Sequence, residues 1–202
     1  MRTEAAKALL ETGAVFFRPE EPFTWASGIK SPVYTDNRLV LTDPKARRVI
    51  EEGLISLIKE TYPQVEALFG TATAGIPHAA IAGYAMDLPM GYVRSSAKDH
   101  GRTNRIEGRL KEDQKVVVIE DLISTGGSVI SAAQALREAG AQVLGVICIF
   151  SYNLAKAEAA FGQAGLEYRS LTDFDTVAKA AAEGGYIGEG DIAQLMEFRN
   201  SL

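Results

Sequence analysis

An α/β fold, a mainly parallel sheet flanked by helices, is what this chain of 202 residues predicts, and two observations predict it. From about residue 65 onward, aliphatic runs alternate with helix-like stretches. The aliphatic runs also lack polar alternation, which implies strands buried on both faces and therefore a parallel sheet between helices.

The elements follow in order. The first forty residues are the least regular: FTWASGIKSPVYTDNRLV, rich in Ser, Gly, Pro and aromatic residues, reads as turns and short strands. TDPKARRVIEEGLISLIKE then predicts an amphipathic helix, with Asp43 as its cap, Pro44 in its first turn, and Ala46, Val49, Ile50, Leu54, Leu57 and Ile58 at helical spacing. VEALFGT, GIPHAAIAGYAMD, PMGYVR, KVVVIED, SVISAAQALREAG, QVLGVICIF and NLAKAEAAFGQAG give the order βαββαβα, with LEYRSLTD a further strand and DTVAKAAAEGG and GDIAQLMEFRNS closing helices. No repeat, low-complexity tract or linker interrupts them, so residues 1–202 are expected to form one domain.

Composition narrows the function. A net charge of −5 argues against nucleic acid and anionic membranes as partners. No stretch approaches the roughly 18 consecutive apolar residues of a membrane span, and MRTEAAKALLETG has no long apolar leader core. Cys148, the single cysteine, lies in a strand-like run, which excludes a disulfide within the chain and fits a reducing, cytoplasmic setting.

Two stretches bear chemistry. In VVVIEDLISTGGSV, Val116 to Val129, an apolar strand meets Glu120 and Asp121 and passes into Ser124-Thr125-Gly126-Gly127-Ser128. The C-terminal end of a parallel strand is where open α/β sheets bind ligands, and hydroxyls with unhindered N–H groups at a helix start suit a phosphate. Two carboxylates beside that cradle suit hydroxyls or a metal ion on the same ligand, as in a phosphorylated ribose. As a bare pair followed by glycines, the acids would equally serve as a helix cap. The full string fits neither the P-loop, which needs a lysine after its glycines, nor the G-x-G-x-x-G fingerprint. The second stretch, RSSAKDHGRTNRIEGRLKEDQ, is a connection of about twenty residues with few apolar side chains, a length that in a compact domain marks a functional or unstructured segment. It gathers Arg94, Lys98, His100, Arg102, Arg105 and Arg109.

VVVIEDLISTGGSV resembles the phosphoribosyl-pyrophosphate signature of the type I phosphoribosyltransferases, and the KDHG of the basic loop is similar to that of the orotate phosphoribosyltransferases. FTWASGIKSPVY and GTATAGIPHAA extend the likeness over nearly the whole chain. The resemblance implies the type I phosphoribosyltransferase fold, with about residues 1–40 forming an N-terminal hood over the base site. It implies transfer of the phosphoribosyl group from phosphoribosyl pyrophosphate to orotate, giving orotidine 5′-phosphate and pyrophosphate in pyrimidine biosynthesis. Glu120 and Asp121 would hold the ribose hydroxyls near Mg²⁺, which is bound through substrate and water. Ser124, Thr125, Gly126, Gly127 and Ser128 would hold the 5′-phosphate, and Leu122 and Ile123 would belong to the same phosphoribosyl-pyrophosphate-binding run. Thr73, Ala74 and Gly75, in the GTATAG turn, would lie under the pyrophosphate.

Arg94, Lys98 and His100 would stabilise the leaving pyrophosphate, with Asp121 completing the catalytic set. Ser124, Ser27, Gly28 and Tyr34 would line the orotate pocket. The loop closes over the neighbouring subunit's site in relatives, implying a homodimer with shared sites. His78, after Pro77 in a helix start, reads instead as a structural or surface residue. The chain departs from its relatives at Ser95, Ser96, Ala26 and Ala74, where many or some of them have lysine; Arg102, Arg105 or Lys30 could supply the missing charge. Two other readings are a purine phosphoribosyltransferase, because the ribose-phosphate loop does not read the base, and a non-catalytic regulator on the same fold.

Overall fold

The order of strands in the central sheet is what creates a place for a site. In the computed structural model, which describes residues 1–18, 20–24, 30–95, 105–188 and 190–201, the chain opens with helix α1 (Arg2–Glu11). Strand β1 (Val15–Phe17) then pairs antiparallel with β4 (Val33–Thr35), and β2 (Phe23–Thr24) with β3 (Lys30–Ser31). A 3-10 helix (Asn37–Thr42) leads into α2 (Pro44–Thr61). Asp43 caps α2 as its sequence predicts: its Oδ1 accepts from the N–H groups of Lys45 at 2.8 Å and Ala46 at 2.9 Å. Ile50, Leu54 and Ile58 bury the stripe that turns toward the sheet.

The alternating part follows: β5 (Ala67–Thr71), α3 (Gly75–Met86), β6 (Met90–Val93), β7 (Ile106–Glu107), β8 (Lys115–Ile123), α4 (Gly127–Glu138), β9 (Gln142–Ser151), α5 (Ala155–Gln163), β10 (Tyr168–Asp173), α6 (Phe174–Glu183) and α7 (Asp191–Ser201). The sheet runs β10-β9-β8-β5-β6-β7. Neighbours are parallel except β6 and β7, which are antiparallel. All of β5 and most of β8 and β9 are buried, which is why these segments read as unbroken aliphatic runs. From β5 the chain moves outward to β6 and then back past β5 to β8. The crossovers therefore diverge between β5 and β8, and the crevice at the C-terminal ends of those two strands is the topological switch point at which such sheets bind ligands.

Two elements depart from the sequence reading. The irregular N-terminal region contains α1, whose Ala5, Ala6, Leu9 and Leu10 are buried and join the main core. The long basic connection contains β7, which extends the sheet by pairing Tyr92 with Glu107 and Val93 with Ile106. Ile106, one of the few apolar side chains of that segment, is buried and anchors the pairing.

Candidate active site

Strand β8 does not stop at its acids; it continues through them to Ile123, so the carboxylates belong to the sheet's edge at the switch point. Glu120 is only 8% exposed, whereas Asp121 is half-buried. Burial pushes the Glu120 carboxyl up to about 8, the Thr71 hydroxyl beside it pulls the other way, and the neighbouring Asp121 carboxylate adds to the rise. Glu120 Oε1 accepts from the Asp121 N–H at 3.0 Å. On the other side, buried Asn37 donates from Nδ2 to the Asp121 carbonyl oxygen at 2.8 Å, tying the N-terminal segment to the acid pair. Burial thus favours the protonated form of Glu120, beside the more exposed Asp121.

The turn after β8 delivers the start of α4 to the same edge. Gly126 is the N-cap with φ of 81°, and no side chain caps the helix. The N–H groups of the first turn are thus open to an anion, and the helix dipole favours one. Ser124, Thr125, Gly127 and Ser128 are exposed around that opening. Gly126 itself is buried, and a Cβ there would stand 2.6 Å from the Phe161 ring. Its backbone conformation and its packing both call for glycine.

The turn after β5 meets the acids from the other strand. A Cβ on Gly75 would lie 2.3 Å from the Ile119 carbonyl oxygen, and one on Gly70 2.6 Å from the Gly75 carbonyl oxygen. The missing side chains let the start of α3 press directly onto β5 and β8. The Ala72–Thr73 peptide is cis, and the Ala72 N–H donates to the Val93 carbonyl at 2.9 Å. Thr73 and Ala74 share one cleft of about 350 Å³ with Glu120, Asp121, Leu122 and Ser128. Thr35, Asp36 and Arg38 form its remaining wall together with Ala72. The sequence reading stopped at Tyr34 and missed them; the available signal was the D-x-R spacing, which lets Asp36 both cap the 3-10 helix and grip Arg38 at 2.6 Å.

A model of the phosphoribosyl transferase domain matches residues 40–171, which contain both turns and both acids. The chain is similar to orotate phosphoribosyltransferase of Bacillus subtilis (strain 168), 56% identical over 196 residues that are 97% of this chain and 91% of that one. It is also similar to orotate phosphoribosyltransferase of Enterococcus faecalis (strain ATCC 700802 / V583), 56% identical over 194 residues, 96% of this chain and 92% of the relative. The chain belongs to the orotate phosphoribosyltransferase family. Among solved structures, orotate phosphoribosyltransferase from Aeropyrum pernix superimposes with a TM-score of 0.78 at 29% identity, over 91% of this chain and 99% of that one.

Within this member of the orotate phosphoribosyltransferases, the remaining predicted residues fall in several places. Ile123 is in the core, and Gly75 is buried under the turn. Arg94 follows β6 on the same edge of the sheet, with its Nη1 3.9 Å from Glu107 Oε1. Arg105, offered as a compensating cation, instead donates to the Arg94 carbonyl at 2.8 Å and to Ser131 Oγ at 2.9 Å, locking the start of β7 against α4. Tyr34 is not among the residues lining the cleft; its ring packs with Phe16 and Phe23 at 5.5 and 5.6 Å. His78 is structural and wholly buried, its Nδ1 2.6 Å from Glu51 Oε1, which joins α3 to α2. Lys98, His100, Ser27 and Gly28, with Ser96, Arg102 and Ala26, lie outside the described residues. A wider groove of about 700 Å³ runs along α4 and β7, and of the predicted site it touches only Gly127.

Proposed function

We propose that this chain transfers the phosphoribosyl group of phosphoribosyl pyrophosphate to N1 of orotate, giving orotidine 5′-phosphate and pyrophosphate. The observation that carries the proposal is the joining, at one switch point, of an acid pair with an uncapped helix start and a glycine-bearing turn. Such a set suits a ligand that is anionic at its ends and hydroxylated between them. The open N–H groups of α4, with the hydroxyls of Ser124, Thr125 and Ser128, would take the 5′-phosphate. Glu120 and Asp121 would accept from the ribose hydroxyls, and the Thr73 to Gly75 turn would lie along the pyrophosphate. Holding both ends fixes ribose C1 for attack by orotate, and this positioning is a large part of the rate gain.

Mg²⁺ fits this donor set. Among the described residues no group of three or more His, Cys, Asp or Glu side chains converges on one point. A cation that keeps several waters and takes one or two carboxylates plus substrate oxygens needs no such cage. When bound, it would neutralise charge on the pyrophosphate. Arg94, Lys98 and His100 would stabilise the charge that develops on the leaving group. The basic loop would close on the neighbouring subunit's site, making a homodimer the active unit and keeping water from the ribose carbon. No helix among the described residues is long and apolar enough to cross a membrane, and the proposed setting is the cytoplasm. Purified protein with Mg²⁺ is expected to turn over orotate and to give no comparable rate with adenine, hypoxanthine or guanine. Preference for a purine would overturn the choice of base.

A further inference from the structure

Orotate carries a carboxylate at C6, and a carboxylate that leaves water needs a cation or several donors to receive it. The cleft walls are poorly suited to that at first sight: they hold three acids, Asp36, Glu120 and Asp121. Among the described residues lining the cleft, the single cation is Arg38. Its guanidinium is already oriented. Nε donates to Asp36 Oδ1 at 2.6 Å and Nη2 to Asp36 Oδ2 at 2.8 Å, while the Arg38 backbone N–H also donates to Oδ1 at 3.2 Å. This two-point grip uses the Nε edge of the fork and leaves the Nη1 side for another acceptor. The side chain is 65% exposed, so that edge is open to a ligand. The hydrogen bond and charge of Asp36 raise the Arg38 pKa, with smaller additions from Tyr34 and Asp121, and Arg38 lines the same cleft as the acid pair.

The donors proposed above for phosphoribosyl pyrophosphate lie elsewhere, at the start of α4 and along the turn after β5. Arg38 belongs to a separate part of the cleft lining, contributed by the N-terminal segment. That segment is fixed to the sheet by Asn37 on Asp121 and by Thr35 Oγ1, which lies 3.0 Å from the Tyr152 hydroxyl. We propose that Arg38 is a specificity-determining residue of this enzyme, its Nη1 edge receiving the C6 carboxylate of orotate while Asp36 holds the guanidinium in place. The proposal rests on the transfer reaction proposed above.

Orotidine 5′-phosphate and uridine 5′-phosphate differ only in that carboxylate, so their inhibition constants isolate its contribution. Wild type is expected to prefer orotidine 5′-phosphate. Arg38→Met should bind it on the order of ten- to a hundredfold more weakly, the range for a lost charge-assisted hydrogen bond, while its affinity for uridine 5′-phosphate stays within about twofold of wild type. That unchanged affinity also reports an intact fold. If Arg38→Met does not fold, Arg38→Gln, which can still donate to Asp36, must show the same selective loss. A variant that keeps the wild-type preference, or that weakens phosphoribosyl pyrophosphate while keeping it, overturns the role of Arg38. A wild type that turns over no orotate overturns the reaction itself, a separate outcome.

Discussion

Glu120→Gln should change how stability depends on pH, by an amount set by burial. In the ligand-free protein the Glu120 carboxyl titrates near 8 instead of its ordinary 4.5. Below about pH 4.5 it is protonated in both folded and unfolded chains and contributes no difference. Between 4.5 and 8 the unfolded chain gives up the proton and the folded chain keeps it, so stability falls as pH rises through that window; above it the loss is complete. At about 1.4 kcal/mol per pH unit, the full loss is on the order of 4 to 5 kcal/mol, a large part of the roughly 5 to 15 kcal/mol that holds a domain folded. Solvent entry into the open cleft would reduce it. Glutamine can still accept from the Asp121 N–H but has no proton to lose. Urea unfolding at pH 5, 6.5 and 8, without ligands, should therefore show the variant gaining on wild type by a few kcal/mol as pH rises. Titrating groups remote from Glu120 are common to both proteins and cancel in the difference, which leaves Glu120 and its interacting neighbour Asp121. Parallel curves for the two proteins would refute the claim that Glu120 is held neutral in the folded protein.

Two further outcomes follow from the site. Gly126→Val should destabilise the fold by on the order of 3 kcal/mol in urea unfolding, because it forces a β-branched residue into a positive φ and a Cβ into the Phe161 ring; Gly127→Ala, whose Cβ meets nothing within 4 Å, should stay within about 0.5 kcal/mol of wild type. If the basic loop serves the neighbouring subunit, Lys98→Ala and Asp121→Asn homodimers should each be nearly inactive, and co-refolding them should restore about a quarter of wild-type activity through heterodimers with one intact site; no recovery, with heterodimers confirmed by native mass spectrometry, would make the loop a same-chain element.

The legibility of the sequence followed burial. β5, β8 and β9 were readable because strands covered on both faces need aliphatic side chains throughout, and the glycines at 70, 75 and 126 were readable because close backbone approach and positive φ leave no alternative. α1 was not readable. Its buried residues, Ala5, Ala6, Ala8, Leu9 and Leu10, do stand at helical spacing, but three of the five are alanines with little apolar signal, and the packing on α2, α6 and β10 that buries them is not visible in a local pattern. β7 is two residues long and exists through its pairing with β6, a partner that local pattern does not reveal. The continuation of β8 beyond Asp121 to Ile123 was hidden for a similar reason: two acids look like the end of a strand until the crevice that accommodates them is in place. Thr35, Asp36 and Arg38 enter the cleft only because Asn37 and Thr35 fix the N-terminal segment to β8 and β9.

The Asp121 carboxylate, at the C-terminal edge of the sheet, is proposed to bind the ribose of phosphoribosyl pyrophosphate, and the role of the whole cleft depends on it. Asp121→Asn keeps the backbone through which the residue bonds Asn37 and changes only the charge. The most direct measurement is kcat/KM for phosphoribosyl pyrophosphate with orotate and Mg²⁺, alongside circular dichroism of the same preparation. The spectrum should be unchanged and kcat/KM should fall by at least about a hundredfold, or roughly 3 kcal/mol of transition-state stabilisation. A folded variant with near-normal kcat/KM would contradict that role of Asp121.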